Sequence, residues 1–211
     1  PSSGWKIEKV SDRKVRDEWK PLWGKRAVVE DHFNELVIDL VNPAGQPERM
    51  QLVVRGYNDG FAFCYKIPDG KGPCVNVQSE LTAYNFAGDY TAWFYNGENH
   101  NIGPEKLTET DGTRLPVMTV KAGDKHYMAI HEACLETGAP LVLQSKGGES
   151  LFSVASKPTS LSPGYTSAWR VVLYGTTPGV LTDSHLLELL NPDPDSRYDF
   201  SWVKPGLAVW D

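Results

Sequence analysis

The chain has 211 residues with 40% hydrophobic side chains, enough for one large domain with a substantial core or for two small ones. Its net charge of -6, with basic residues only in short runs such as Lys14 to Arg16 and Lys25-Arg26, speaks against a nucleic-acid surface, which needs clustered Lys and Arg. No apolar run approaches the ~18 residues of a membrane span, and because Pro1 is not a natural start a preceding N-terminal piece is expected.

The dominant pattern along the chain is alternation with a period of two. His32 and Glu35, in EDHFNEL, precede the first predicted strand, Leu36–Val41, and read as structural. Met50 to Arg55 and Gly60 to Pro68 form a predicted β-hairpin around the turn Asn58-Asp59-Gly60. In its second arm Phe61, Phe63, Tyr65 and Ile67 share one face, opposite Ala62, Cys64 and Lys66. Further strands are predicted at Val75–Leu81, Tyr90–Tyr95, Pro116–Lys121, His126–His131, Pro140–Gln144, Leu151–Ser156 and Trp169–Tyr174. Breakers such as PDGKGP, TDGTR, AGDK, KGGES and SPGY separate them, in keeping with 19 Gly and 15 Pro. Only Leu181–Leu190 has a composition compatible with a helix. Many strands without βαβ alternation predict an antiparallel sandwich. At the C-terminus NPDPD reads as a turn, and Trp202 and Trp210 follow close to the last residue, where aromatic side chains are expected to pack on a neighbouring domain.

Three cysteines, Cys64, Cys74 and Cys134, have no zinc-binding spacing. They read as unpaired packing residues, with a Cys64–Cys74 bridge across a hairpin left open. The sequence contains no GxSxG, HExxH, P-loop or GxGxxG motif. His131-Glu132 resembles a metal pair, but neighbours on a strand face opposite sides, so a structural hydrogen-bonding role is expected and Glu132 needs a buried partner. His126 and His185 have no supporting context.

One segment concentrates candidate chemistry. Asp89 to Glu105, DYTAWFYNGENHNIGPE, runs from an aromatic strand into a loop rich in carboxylates and amides. Alternation places Trp93 and Tyr95 on one face and Phe94 on the other. Trp93 is poised between core packing and a platform on which a sugar stacks, and His100 and Asn101 are further candidates for sugar contact. Glu98 and Glu105 are candidate ligands of a hard cation such as calcium, which takes six to eight oxygens and therefore needs donors from a second source.

Several motifs resemble, in order, the N-terminal domain of glycoside hydrolase family 97. They are Trp19-Lys20-Pro21-Leu22-Trp23-Gly24, Asp31-His32-Phe33-Asn34-Glu35-Leu36, GDYTAW at 88–93, PVMTVK at 116–121, IHEA at 130–133, AWR at 168–170 and SWVKPGLAVWD at 201–211. The resemblance implies an all-β antiparallel supersandwich like that of galactose mutarotase, with few or no helices. It would span residues 1–200 and lack its first strands, with 201–211 opening the linker to a catalytic (β/α)8 barrel. It also implies a calcium-dependent α-glucosidase or α-galactosidase acting on oligosaccharides or α-glycosides, periplasmic or secreted in a Gram-negative bacterium. The barrel would carry the catalytic carboxylates, so this chain by itself is expected to be inactive. One calcium ligand would come from the loop after TAWFY, where Glu105 is the closer positional match and Glu98 the alternative. Two other readings remain: a self-sufficient carbohydrate-binding sandwich and a purely structural domain.

Overall fold

In a computed structural model of the protein the described residues are 3–20, 25–70, 74–95, 97, 101–136, 140–155, 157–191, 199, 201–204 and 206–209. Antiparallel strands dominate. The first four, β1 (Lys6–Trp19), β2 (Val29–Val41), β3 (Arg49–Tyr57) and β4 (Gly60–Lys66), form a meander. The chain continues through β5 (Val75–Val77), β6 (Ala83–Asn85), β7 (Thr91–Tyr95), β8 (Asn101–Lys106), β9 (Thr113–Lys121) and β10 (Tyr127–Ala133). It ends with β11 (Leu143–Ser145), β12 (Leu151–Val154), β13 (Thr159–Leu161) and β14 (Trp169–Gly175), then two short helices, α1 (Pro178–Asp183) and α2 (Leu186–Leu189).

The main sheet runs β1-β2-β3-β4-β14-β10-β9 and continues into β11-β12-β6, while β9 also pairs with β7 and β7 with β8. Strand β14 joins the two halves, because it pairs with β4 on one edge and β10 on the other. β5 and β13 form a separate two-stranded sheet. The hairpin at Asn58-Asp59-Gly60 forms as expected, and Tyr57 lies opposite Gly60. Gly60 is obligatory there, because φ is +154° and a Cβ would lie 2.3 Å from the Val172 carbonyl oxygen.

Both faces of the central strands are apolar. Val171, Leu173, Ala62, Cys64, Val53 and Ala129 point to one side, where Leu186 and Leu190 cover them. Val172, Ile130, Met118 and Val120 point to the other, beneath Phe94, Leu143 and Phe152. The outcome is the expected all-β sandwich, with helix confined to short pieces after β14.

The structure also departs from expectation in places. β1, β6, β8 and β13 form where no strand is predicted, and Val75–Leu81 yields only the three residues of β5. β1 was hidden because most of its residues are charged or polar and it shows no sustained alternation, with an almost wholly exposed burial pattern; its pairing with β2 makes it a strand. The helical stretch near Leu181–Leu190 divides at Ser184 and His185 into α1 and α2. All three cysteines are free, so no Cys64–Cys74 bridge exists. Cys64 is fully buried, and burial pushes its thiol up to about 11.

Candidate functional site

Strand β7 carries the aromatic segment between β8 and β9. Alternation sorts its side chains as expected: Ala92 and Phe94 are buried, whereas Trp93 is 37% and Tyr95 42% exposed. Trp93 is thus outside the core. Its indole lies against Gly103 of β8, where φ is +124° and a Cβ would come within 2.9 Å of the ring and 2.6 Å of the Ala92 carbonyl oxygen. Only glycine permits that approach.

Asn101 to Glu105, expected as loop, belongs to β8. The strand fixes which side each candidate faces. Asn101 pairs with Tyr95 and is exposed beside the aromatic surface. Glu105 pairs with Ala92, whose side chain is buried, and so leans inward, away from Trp93. Trp93 and Asn101 therefore share the outer surface of the hairpin, and the Glu105 carboxylate lies towards its inner side. Glu98 and His100 lie outside the described residues.

The surroundings of Glu105 were not legible from sequence spacing. The buried Thr110 hydroxyl donates to Glu105 Oε2 at 3.2 Å and also reaches the Lys106 carbonyl oxygen at 3.1 Å. Arg114 Nη2 stands 3.8 Å from the same carboxylate oxygen, a loose ion pair. The Arg114 guanidinium lies over the Phe94 ring at 5.7 Å from its centroid, and its Nε is buried without a hydrogen-bond partner. Glu105 is thus held from one side by a hydroxyl and a cation, with its side chain still about a third exposed (32%). On the far side of the hairpin a hollow of about 340 Å³ is lined by Asp89, Lys106, Lys121 and Asp124, among others.

The other sequence candidates have structural partners. Glu132 receives the Leu141 backbone N–H at 2.6 Å and Arg170 Nη1 at 3.2 Å, the buried partner it was expected to need. Arg170 also grips Glu80 through Nε at 3.0 Å and Nη2 at 2.6 Å. Burial pushes the Glu132 carboxyl up, against the Leu141 and Arg170 interactions that pull it down. His131 is pushed down by burial and accepts a hydrogen bond from the Glu132 N–H. Glu35 is clasped by Arg13 at 2.6 Å and Arg55 at 2.8 Å. His126 meets the Tyr174 hydroxyl, and His185 meets Glu188. Among the described residues no group of three or more His, Cys, Asp or Glu side chains is placed to hold a metal ion.

Residues 2–192 match the family described as Glycosyl-hydrolase 97 N-terminal. The chain belongs to glycoside hydrolase family 97. This family 97 domain is 26% identical, over 95% of its length, to a retaining alpha-galactosidase of Bacteroides thetaiotaomicron, of which it covers 35%. It is 27% identical, over 99% of its length, to a probable retaining alpha-galactosidase of Streptomyces bingchenggensis, of which it covers 33%. Among solved structures it resembles a family 97 enzyme of Pseudoalteromonas sp. strain K8 in complex with acarbose, with a TM-score of 0.83 and 26% identity. That match covers 96% of this chain and 32% of the enzyme. A beta-arabinopyranosidase at 17% identity, with a TM-score of 0.70, shares the fold. The family 97 domain thus spans about a third of the length of the relatives it matches.

Proposed function

We propose that this domain is the non-catalytic sandwich of a calcium-dependent, retaining α-galactosidase, and that Glu105 is its contribution to the calcium site. The observation that carries the reading is a carboxylate about a third exposed, oriented by Thr110 and Arg114, on a hairpin of a family 97 N-terminal domain. A calcium ion needs about six to eight oxygen ligands. Glu105 fits as one hard anionic ligand and no more, so the remaining donors belong to the part of the protein beyond this domain. Bound there, calcium would supply positive charge that orients the sugar and polarises the departing oxygen. Glu98, seven residues earlier in the sequence and outside the described residues, is the alternative ligand.

Two relatives named as retaining α-galactosidases support the galactoside and the stereochemical course. Retention requires a nucleophilic carboxylate and an acid–base carboxylic acid roughly 5–5.5 Å apart. The buried acids described above are committed to arginines and backbone N–H groups, so the reading assigns that pair to a barrel domain. On the opposite side of the hairpin from Glu105, Trp93 and Tyr95 present flat apolar faces of the kind that cover a sugar ring, and Asn101 stands beside them, a second surface through which this chain would meet a sugar.

The test compares the intact protein with residues 1–211 on a nitrophenyl α-galactoside, following the first-formed anomer by NMR. Hydrolysis with retention by the intact protein and none by residues 1–211 is expected. Hydrolysis by residues 1–211 would refute the division of labour, and preference of the intact protein for the α-glucoside would refute the sugar assignment.

The exposed Trp93 also supports a second reading, a self-sufficient carbohydrate-binding sandwich. Galactose binding by residues 1–211, lost in Trp93→Ala, would favour it over the first.

A further inference from the structure

A second hollow opens between the start of β2, the β3–β4 turn and the junction of α1 with α2. Its volume of about 310 Å³ is that of a small-molecule pocket. Val28, Leu186 and Leu189 make part of its lining apolar, and the charged part is acidic, with Glu30, Asp59 and Asp183 against one guanidinium, Arg26. Arg26 is itself engaged, its Nη2 donating to the Asp183 carbonyl oxygen at 3.3 Å. Glu30 has only His32 Nδ1 at 3.7 Å, and among the described residues no cation pairs with the carboxylate of Asp59 or Asp183. The same lining holds His185, whose side chain is only 11% exposed. Its Nδ1 meets Glu188 Oε2 at 2.7 Å, so in the neutral ring the proton sits on Nδ1 and Nε2 keeps a lone pair. That Nε2 is buried with no hydrogen-bond partner among the described residues. Neither has the Tyr57 hydroxyl, which feels the nearby Arg55 charge but makes no hydrogen bond of ordinary geometry to it. Buried polar atoms are nearly always paired, so two orphans on one hollow call for a partner.

We propose that this hollow binds a small organic cation, a protonated aliphatic amine whose N–H groups go to Asp59, Asp183 and His185 and whose hydrocarbon part lies on Val28, Leu186 and Leu189. The unmatched groups decide the class of ligand. Two unpaired carboxylates, an imidazole lone pair and a phenol oxygen all accept hydrogen bonds, and an alkylammonium brings three donors and no acceptor. It also brings the positive charge that three carboxylates against one guanidinium leave wanting, which a neutral polyol does not. An anion is repelled by the same carboxylates. A bound metal ion is disfavoured because no three His, Cys, Asp or Glu side chains among the described residues are placed to hold one. Charge-assisted N–H bonds reach further than metal–oxygen bonds, about 2.7–2.9 Å against roughly 2.0–2.6 Å, and so span acceptors spread around a wider space.

The experiment titrates the intact protein calorimetrically at pH 7 with pentylamine, which is charged there as a lysine side chain is, and with 1-pentanol, which has the same stem and no charge. The proposal expects pentylammonium to bind and pentanol to bind at least ~10-fold more weakly. It also expects the double variant Asp59→Asn with Asp183→Asn to lose at least ~10-fold in amine affinity, about 1.4 kcal/mol, with its thermal unfolding unchanged. Absence of amine binding would overturn it. So would equal affinity for pentanol, which leaves the polar groups to water, or wild-type amine affinity in the double variant, which assigns the amine to another acidic pocket. If the double variant is destabilised, a diazirine-bearing alkylamine photo-crosslinked to the unaltered protein decides. Crosslinks within residues 26–32, 57–59 or 183–189 uphold the proposal, and crosslinks only elsewhere refute it.

Discussion

At the scale of single residues, charge burial is the most consequential feature. Arg170 is 3% exposed, and it is ionised between two carboxylates, Glu80 and Glu132. Removing one member of such a group strands the others, which is far more costly than replacing the whole group by apolar side chains. Arg170→Met is therefore expected to lose ~3–5 kcal/mol, and the triple replacement with Glu80→Gln and Glu132→Gln to recover most of it, as read by urea denaturation. Equal stability of the single and triple variants would show that the carboxylates relax into water.

Glu35 presents the opposite balance. Burial raises its carboxyl, but the hydrogen bonds from Arg13 and Arg55 outweigh that and hold it below its ordinary value of 4.5. A carboxylate whose folded value is depressed stabilises fully above the unfolded value and loses that contribution as pH falls through the folded one. Glu132 has the reverse sign: its raised value makes ionisation unfavourable to folding, so that cost is relieved on acidification. Glu35→Gln should thus lower stability at pH 7 by ~1.5–3 kcal/mol, the size of a charged hydrogen-bond pair, and flatten the loss of stability below pH 4.5. An unchanged acid limb in denaturation at pH 7 and pH 3 would contradict this.

At the scale of elements, the β7–β8 hairpin sets the geometry of the proposed site. Gly103 lets the Trp93 indole cross the neighbouring strand, and its φ of +124° suits no side chain. Gly103→Ala is expected to cost ~1–3 kcal/mol of backbone strain and to shift Trp93 fluorescence as the ring is displaced; an unshifted spectrum with unchanged stability would contradict the packing. The element scale is also where sequence reading succeeded and failed. The alternation of Trp93, Phe94 and Tyr95 was legible because one face of β7 is buried. So was the need of Glu132 for a buried partner, though nothing in the spacing pointed to Arg170, 38 residues away. β8 was not legible, since Gly103 and Pro104 are poor strand formers that pairing with β7 overrides. With β8 missed, Glu105 read as one ligand in a loop with Asn101, whereas the ladder sends the two to different sides. Thr110 and Arg114, which hold Glu105, come from the turn after β8 and from β9, too scattered for any local motif.

At the scale of the whole molecule, the domain is an antiparallel sandwich, and the proposed site takes only a part of its ligands from it. Side chains near its C-terminal end are exposed, Trp202 at 76% and Leu207 at 96%. The relatives it matches are about three times as long. The central claim is that this domain lends one carboxylate to a calcium site completed elsewhere. Calorimetric titration of the chelator-stripped intact protein with calcium tests it most directly. The account predicts one tightly bound ion, affinity at least ~10-fold weaker (about 1.4 kcal/mol) in Glu105→Gln, and no binding by residues 1–211. Wild-type affinity in Glu105→Gln, or a full-strength site in residues 1–211 without the rest of the protein, would contradict it.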